Sequence, residues 1–163
     1  MSALRTAAAL ALLATATPAL AQTAAPADPT GLAKAPDIKA QIATMAREMK
    51  PGQHFAWRPL LRDGPTTAAL EYWTAPGKPA IHPTEAEYTT VIEGAGTLVS
   101  GGRMVDPVTT KSGMIEGSRI EGGTTRDLKP GDVILIPAGI PHYFGITGGK
   151  LVLLGMKITR SPQ

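Results

Sequence analysis

The chain of 163 residues contains no cysteine. That absence removes disulfide staples, thiolate metal ligands and thiol nucleophiles in one step. Runs of like charge are missing too. Its 16 basic and 13 acidic residues are interspersed, which argues against nucleic acid or a membrane surface as partner. Beyond the first twenty or so residues, no apolar stretch is long enough to cross a bilayer as a helix. There is no serine in a nucleophile elbow, no glycine loop suited to cradling phosphate, and no internal repeat. Histidine is scarce, with three in all, so each one is informative.

What is present begins with a leader. Residues 1–5 are short and basic, residues 6–17 are rich in alanine and leucine, and Ala19-Leu20-Ala21 supplies the small-x-small pattern of a signal-peptidase site ahead of Gln22. The expectation is a signal peptide over residues 1–21 and an exported chain, periplasmic or secreted, cleaved near Ala21/Gln22. The mature form then has no membrane association, and Arg5 is the one charge lost with the leader. About 140 residues remain, enough to bury a core without cross-links.

Residues 22–35 are rich in Ala, Pro and Thr and read as a flexible linker. Over residues 36–50, Ile38, Ile42, Met45 and Met49 recur at helical spacing, Pro36 suits a first turn and Pro51-Gly52 ends the segment. This helix is expected to pack against the remaining domain, residues 51–160, or against a second subunit. From His54 onward, short β-prone runs alternate with Gly and Pro. The expected strands cover residues 54–61, 66–73, 88–93, 97–100, 114–120, 124–128, 133–136, 142–146 and 151–158. The punctuation includes Gly94-Ala95-Gly96, Pro130-Gly131-Asp132 and Thr147-Gly148-Gly149. Many short strands without intervening helices imply an all-β sandwich or barrel and argue against a parallel α/β sheet.

Two stretches about 60 residues apart concentrate the chemistry. One runs from Ala80 through His82, Glu85 and Glu87 to Gly94, and the other from Gly131 to His142. In the second, glycine, five residues, proline, one residue, glycine, two residues and histidine fall at Gly131, Pro137, Gly139 and His142. This resembles the second motif of the cupins, and His82, Glu87 and Gly94 resemble part of the first. Ala80 stands in place of the first motif histidine, Thr74 in place of its leading glycine, and Ile146 where the second motif usually ends in asparagine. The resemblance spans roughly residues 54–160 and leaves room for an extra hairpin around residues 104–123. It implies an all-β, cupin-type jelly-roll barrel (a double-stranded β-helix) preceded by a short N-terminal helix.

The resemblance further implies that His82, Glu87 and His142 share one divalent metal, with Glu85 as the alternative carboxylate. Two imidazoles and a carboxylate leave coordination positions open and suit non-haem Fe(II), while Mn, Ni, Co or Zn also accept such a set. In a regular strand, residues 82 and 87 would face opposite sides; Pro83 breaks regular pairing and allows both to turn inward. By the same alternation, Phe144 and Ile146 share a face with His142, and Thr89 and Val91 share one with Glu87. The expected cavity is apolar with a polar cluster at one end and suits a small-molecule ligand. Tyr72 and Trp73 are placed at its mouth or in packing, and His54 outside it. No organic cofactor is implied. The family suggests oxygenation, isomerisation or decarboxylation of a small acid or phenol. The alternatives are a metal-free binding or sensing module, or a structural dimerisation domain, since cupins often pair through their sheets as a homodimer.

Overall fold

The computed structural model describes residues 27–159. The expected leader, residues 1–21, lies outside the described residues. One helix, α1 (Ala35–Glu48), precedes eleven strands: β1 (Phe55–Asp63), β2 (Thr66–Trp73), β3 (Ala80–Ile81), β4 (Glu85–Ser100), β5 (Arg103–Val105), β6 (Val108–Thr109), β7 (Ile115–Glu116), β8 (Arg119–Glu121), β9 (Thr124–Leu128), β10 (Val133–Ile136) and β11 (His142–Thr159). Nine strands form one antiparallel sheet that runs β1-β2-β11-β3-β7-β6 and continues through β4, which pairs with β9, β10 and β11. The architecture is a jelly roll with one short N-terminal helix.

Two apolar clusters hold it, separated by the period-two alternation of β2 and β11. Val91, Leu98, Ile134, Ile136, Phe144, Leu151 and Leu153 fill the inside. On the other face of the same strands, Leu70, Tyr72 and Val152 pack against Ile42 and Met45 of α1, with Ile38 and Met49 at the edge. The four helical residues singled out by spacing are therefore the docking stripe. Because Leu70 and Tyr72 face the helix, Glu71 and Trp73 face the interior.

The two longest strands depart from the sequence expectation. Residues 88–93 and 97–100 belong to one strand, β4, and residues 142–146 and 151–158 belong to β11. The glycine clusters between them are not hairpin turns. They lie side by side where β4 and β11 slip register, between Ile146 and Leu151. A Cβ on Gly94 would stand 2.0 Å from the Lys150 carbonyl oxygen, and one on Gly96 would stand 2.3 Å from that of Gly145. Glycine here allows two backbones to approach at a bulge, a role as common for it as a turn. The expected strand over residues 114–120 is divided into β7 and β8, and β8 pairs with β5 as the extra hairpin.

Candidate metal centre

His82 follows β3, and the chain bends at Pro83-Thr84 before entering β4 at Glu85. The bend cancels the odd spacing, so His82 and Glu87 meet. The loop between β10 and β11 is tied to this corner: the Gly139 N–H donates to the His82 carbonyl at 2.9 Å. Gly139 has φ +81°, in the left-handed region that glycine enters without a steric cost. The loop then delivers His142 as the first residue of β11, opposite Ala80 on β3.

The Nε2 atoms of His82 and His142 each lie 3.6 Å from Glu87 Oε2, and the two rings are 5.6 Å apart. Potential ligand atoms of the three residues all lie within 4.8 Å of one another. Two ligands each about 2.1 Å from an ion stand about 3 Å apart when adjacent, so the cluster fits a metal with a small inward adjustment. His142 Nδ1 is 2.9 Å from the Ile140 carbonyl. That carbonyl only accepts, so Nδ1 carries a proton and Nε2 is the nitrogen turned toward Glu87, the usual orientation of a ligating histidine. Burial, reinforced by the nearby Lys157 ammonium, lowers the His82 pKa to about 4, which leaves its imidazole neutral at pH 7. Burial alone would raise that of Glu87. His142, Lys157 and His82 outweigh it and bring Glu87 to about 2, so it is ionised. His82 thus offers a neutral imidazole and Glu87 a carboxylate, and His142 turns a second imidazole toward them, a set of residue types that suits a divalent cation.

Beside the cluster lies a cavity of about 350 Å³, walled by Phe55, Trp73, Met114 and Phe144 and bearing Lys78, Glu71 and Lys157. Ala80 also lines it; a methyl group stands where a further imidazole would otherwise project. A larger groove of about 600 Å³ runs along β9 and β10 and includes none of the three clustered groups.

The remaining residues named from sequence divide. Phe144 lines the cavity. Val91 and Ile146 pack into the inner core, and Thr89 is buried without lining it. They share the inward face, as alternation requires, but Leu98, Leu151 and Leu153 fill the barrel at their level. Glu85 reaches only to 3.9 Å from His82 Nδ1 and is partly exposed. Trp73 lines the cavity, Tyr72 lies under the helix, and the exposed His54 contacts Thr74 Oγ1 at 3.3 Å.

Sequence reasoning missed Glu71 and Lys157. Glu71 accepts a hydrogen bond from Trp73 Nε1 at 3.2 Å, and burial, with the charge of Glu87 nearby, pushes its pKa up. Its position two residues before Trp73 on an alternating strand was the available signal. A carboxyl whose folded pKa is raised costs stability as pH climbs from its unfolded pKa through its folded one. Glu71→Gln keeps an acceptor for Trp73 and removes the buried charge. The melting temperature at pH 7 is expected to rise by about 2–5 °C, with the gain shrinking at pH 4. A lower melting temperature at pH 7 would contradict this account.

The Cupin family model matches residues 69–157. No curated protein matches the chain. Among solved structures, it is similar to hydroquinone 1,2-dioxygenase PnpCD in complex with Cd2+ and 4-hydroxybenzonitrile, at 18% identity and TM-score 0.53, covering 74% of this chain and 72% of that one. It is also similar to the DMSP lyase DddQ from Ruegeria pomeroyi DSS-3, at 20% identity and TM-score 0.51, covering 83% and 70%. An oxalate oxidase matches at 19% identity and TM-score 0.43 over 60% of this chain; the chain spans 44% of its length. At these identities the likeness is one of fold.

Proposed function

This chain belongs to the cupin family, and we propose that it binds one divalent transition metal through His82, Glu87 and His142 and a small organic ligand in the adjoining cavity. The observation that carries the reading is the convergence of two imidazole Nε2 atoms on a single carboxylate oxygen, each at 3.6 Å. Fe, Mn, Ni, Co and Zn all accept this donor set. A bound ion would act as a Lewis acid toward an oxygen ligand. The chain's own part is to hold His142 in the correct tautomer through Ile140, to keep His82 neutral, and to leave room beside Ala80 for a non-protein ligand. Phe55, Trp73 and Phe144 exclude water from one side of that space. The similar structures include a dioxygenase bound to Cd2+ and an aromatic nitrile, which supports a cavity that serves metal and ligand together. We also propose, from residues 1–21, that the chain is exported.

A metal-free binding module is favoured by one observation: the Lys157 ammonium lies 3.6 Å from Glu87 Oε2 and supplies a counter-charge by itself. Elemental analysis after reconstitution and desalting decides between the two. About one equivalent of metal per chain is expected; less than a tenth of an equivalent of any of the five metals would remove the metal-centre reading.

A further inference from the structure

Lys157 has no part in the family motifs, yet its ammonium stands where a ligand headgroup would arrive. It faces Glu87 directly across β11 and β4. Its Nζ is as close to Glu87 Oε2 as either imidazole nitrogen, at 3.6 Å. Lys78, the other lysine on the cavity wall, is committed to Glu116 at 3.2 Å. Glu87 is the counter-ion of Lys157. A divalent ion bound to Glu87 takes over that negative charge and leaves Lys157 without its ion-pair partner. An anion restores the balance. We infer that Lys157 is the anchor for the carboxylate of an aromatic or branched aliphatic monocarboxylic acid, held with one oxygen toward the metal position and the other on the ammonium.

The geometry selects this class. A carboxylate has two oxygens, so each of the two cationic centres can take its own, whereas a phenolate must share its single oxygen between them. Charge-assisted hydrogen bonds of this kind are about twice as strong as neutral ones. The rest of the ligand meets Phe55, Trp73, Met114 and Phe144, a wall that, among the described residues, holds no further free cation for a second acid group. A cavity of about 350 Å³ lies at the small end of the range for ligand sites, roughly 300–1,000 Å³. Metal and carboxylate should then bind cooperatively, since the ion releases Lys157 from Glu87. Such couplings are typically about 5–150-fold.

The proposal rests on the metal-centre reading, and the experiment separates the two. Metal content is measured first, and benzoate and benzamide are then titrated calorimetrically into the metal-loaded protein. Benzoate is expected to bind at least about tenfold more tightly than the isosteric neutral amide. Lys157→Met, with metal retained, should weaken benzoate far more than benzamide and so remove that preference, and Lys157→Arg should restore part of it. Equal binding of the two probes by the wild-type chain, or equal weakening of both in Lys157→Met with metal retained and the melting temperature unchanged, overturns the anchor. If the wild-type chain takes up no metal, the metal-centre reading falls, and the anchor is tested on metal-free Glu87→Gln, where Lys157 has lost its ion-pair partner. Preference for benzoate there supports it, and indifference overturns it.

Discussion

His142→Ala is expected to lower metal affinity by about a hundredfold or more. The scale follows from the cost of disturbing only an outer partner of a ligating histidine, about 10–100-fold; deleting the ligand itself should cost at least as much. Three features concentrate the effect on this residue. It is buried, with 4% of its surface exposed, so water has poor access to replace the lost nitrogen. Its Nδ1 is bound to the Ile140 carbonyl, so the ring is pre-oriented rather than recruited. Ala80 directly opposite offers no donor in compensation. The measurement is competition against a chromophoric chelator, with circular dichroism to confirm the fold. Glu85→Gln serves as the contrast: its carboxylate lies outside the cluster, and a change of less than about threefold is expected. Equal losses in the two variants would mean that the metal is held elsewhere.

Gly94→Ala should be the most damaging single-methyl change among the glycines named here. The residue has φ +81°, and an added Cβ would lie 2.0 Å from the Lys150 carbonyl oxygen and 2.8 Å from its carbon. A backbone group cannot rotate away as a side chain can, so β4 and β11 must separate locally. Conformational strain alone costs about 1–3 kcal/mol. With the clash added, a loss of at least about 3 kcal/mol is expected, a large share of the 5–15 kcal/mol typical of a domain. The melting temperature should fall by roughly 10 °C. Gly149→Ala separates the two contributions. It shares the positive φ, at +78°, but nothing lies within 4 Å of its added Cβ, so only the conformational cost of about 1 kcal/mol remains. Similar losses in both variants would show that the close approach to Lys150 is unimportant.

The bulge that makes Gly94 critical also explains what could be read from the sequence. Before it, even-numbered residues of β11 point inward: His142, Phe144 and Ile146. After it, the inward residues are odd-numbered: Leu151, Leu153 and Lys157. Counting by twos from His142 therefore hides Lys157, and no local signal marks the three-residue slip between Ile146 and Leu151. The same slip turned two expected hairpins into one long bent strand pair. Glu71 escaped notice for a different reason. A glutamate in a strand is ordinarily on the solvated face, and the docking of α1 on Leu70 and Tyr72 shows that this strand has no solvated face there.

By itself, then, the sequence determined the all-β class, the helical stripe of Ile38, Ile42, Met45 and Met49, and the three residues that converge. Glycine and proline positions and apolar periodicity act locally and carry over directly into structure. The tertiary structure alone decided how full the barrel is at the level of Thr89 and Val91, which neighbours set the charge states of Glu87 and His82, and that Lys157 enters the cavity. Those properties depend on register and on packing between segments remote in the chain, and both are set by backbone contacts that leave no periodic trace in the order of residues.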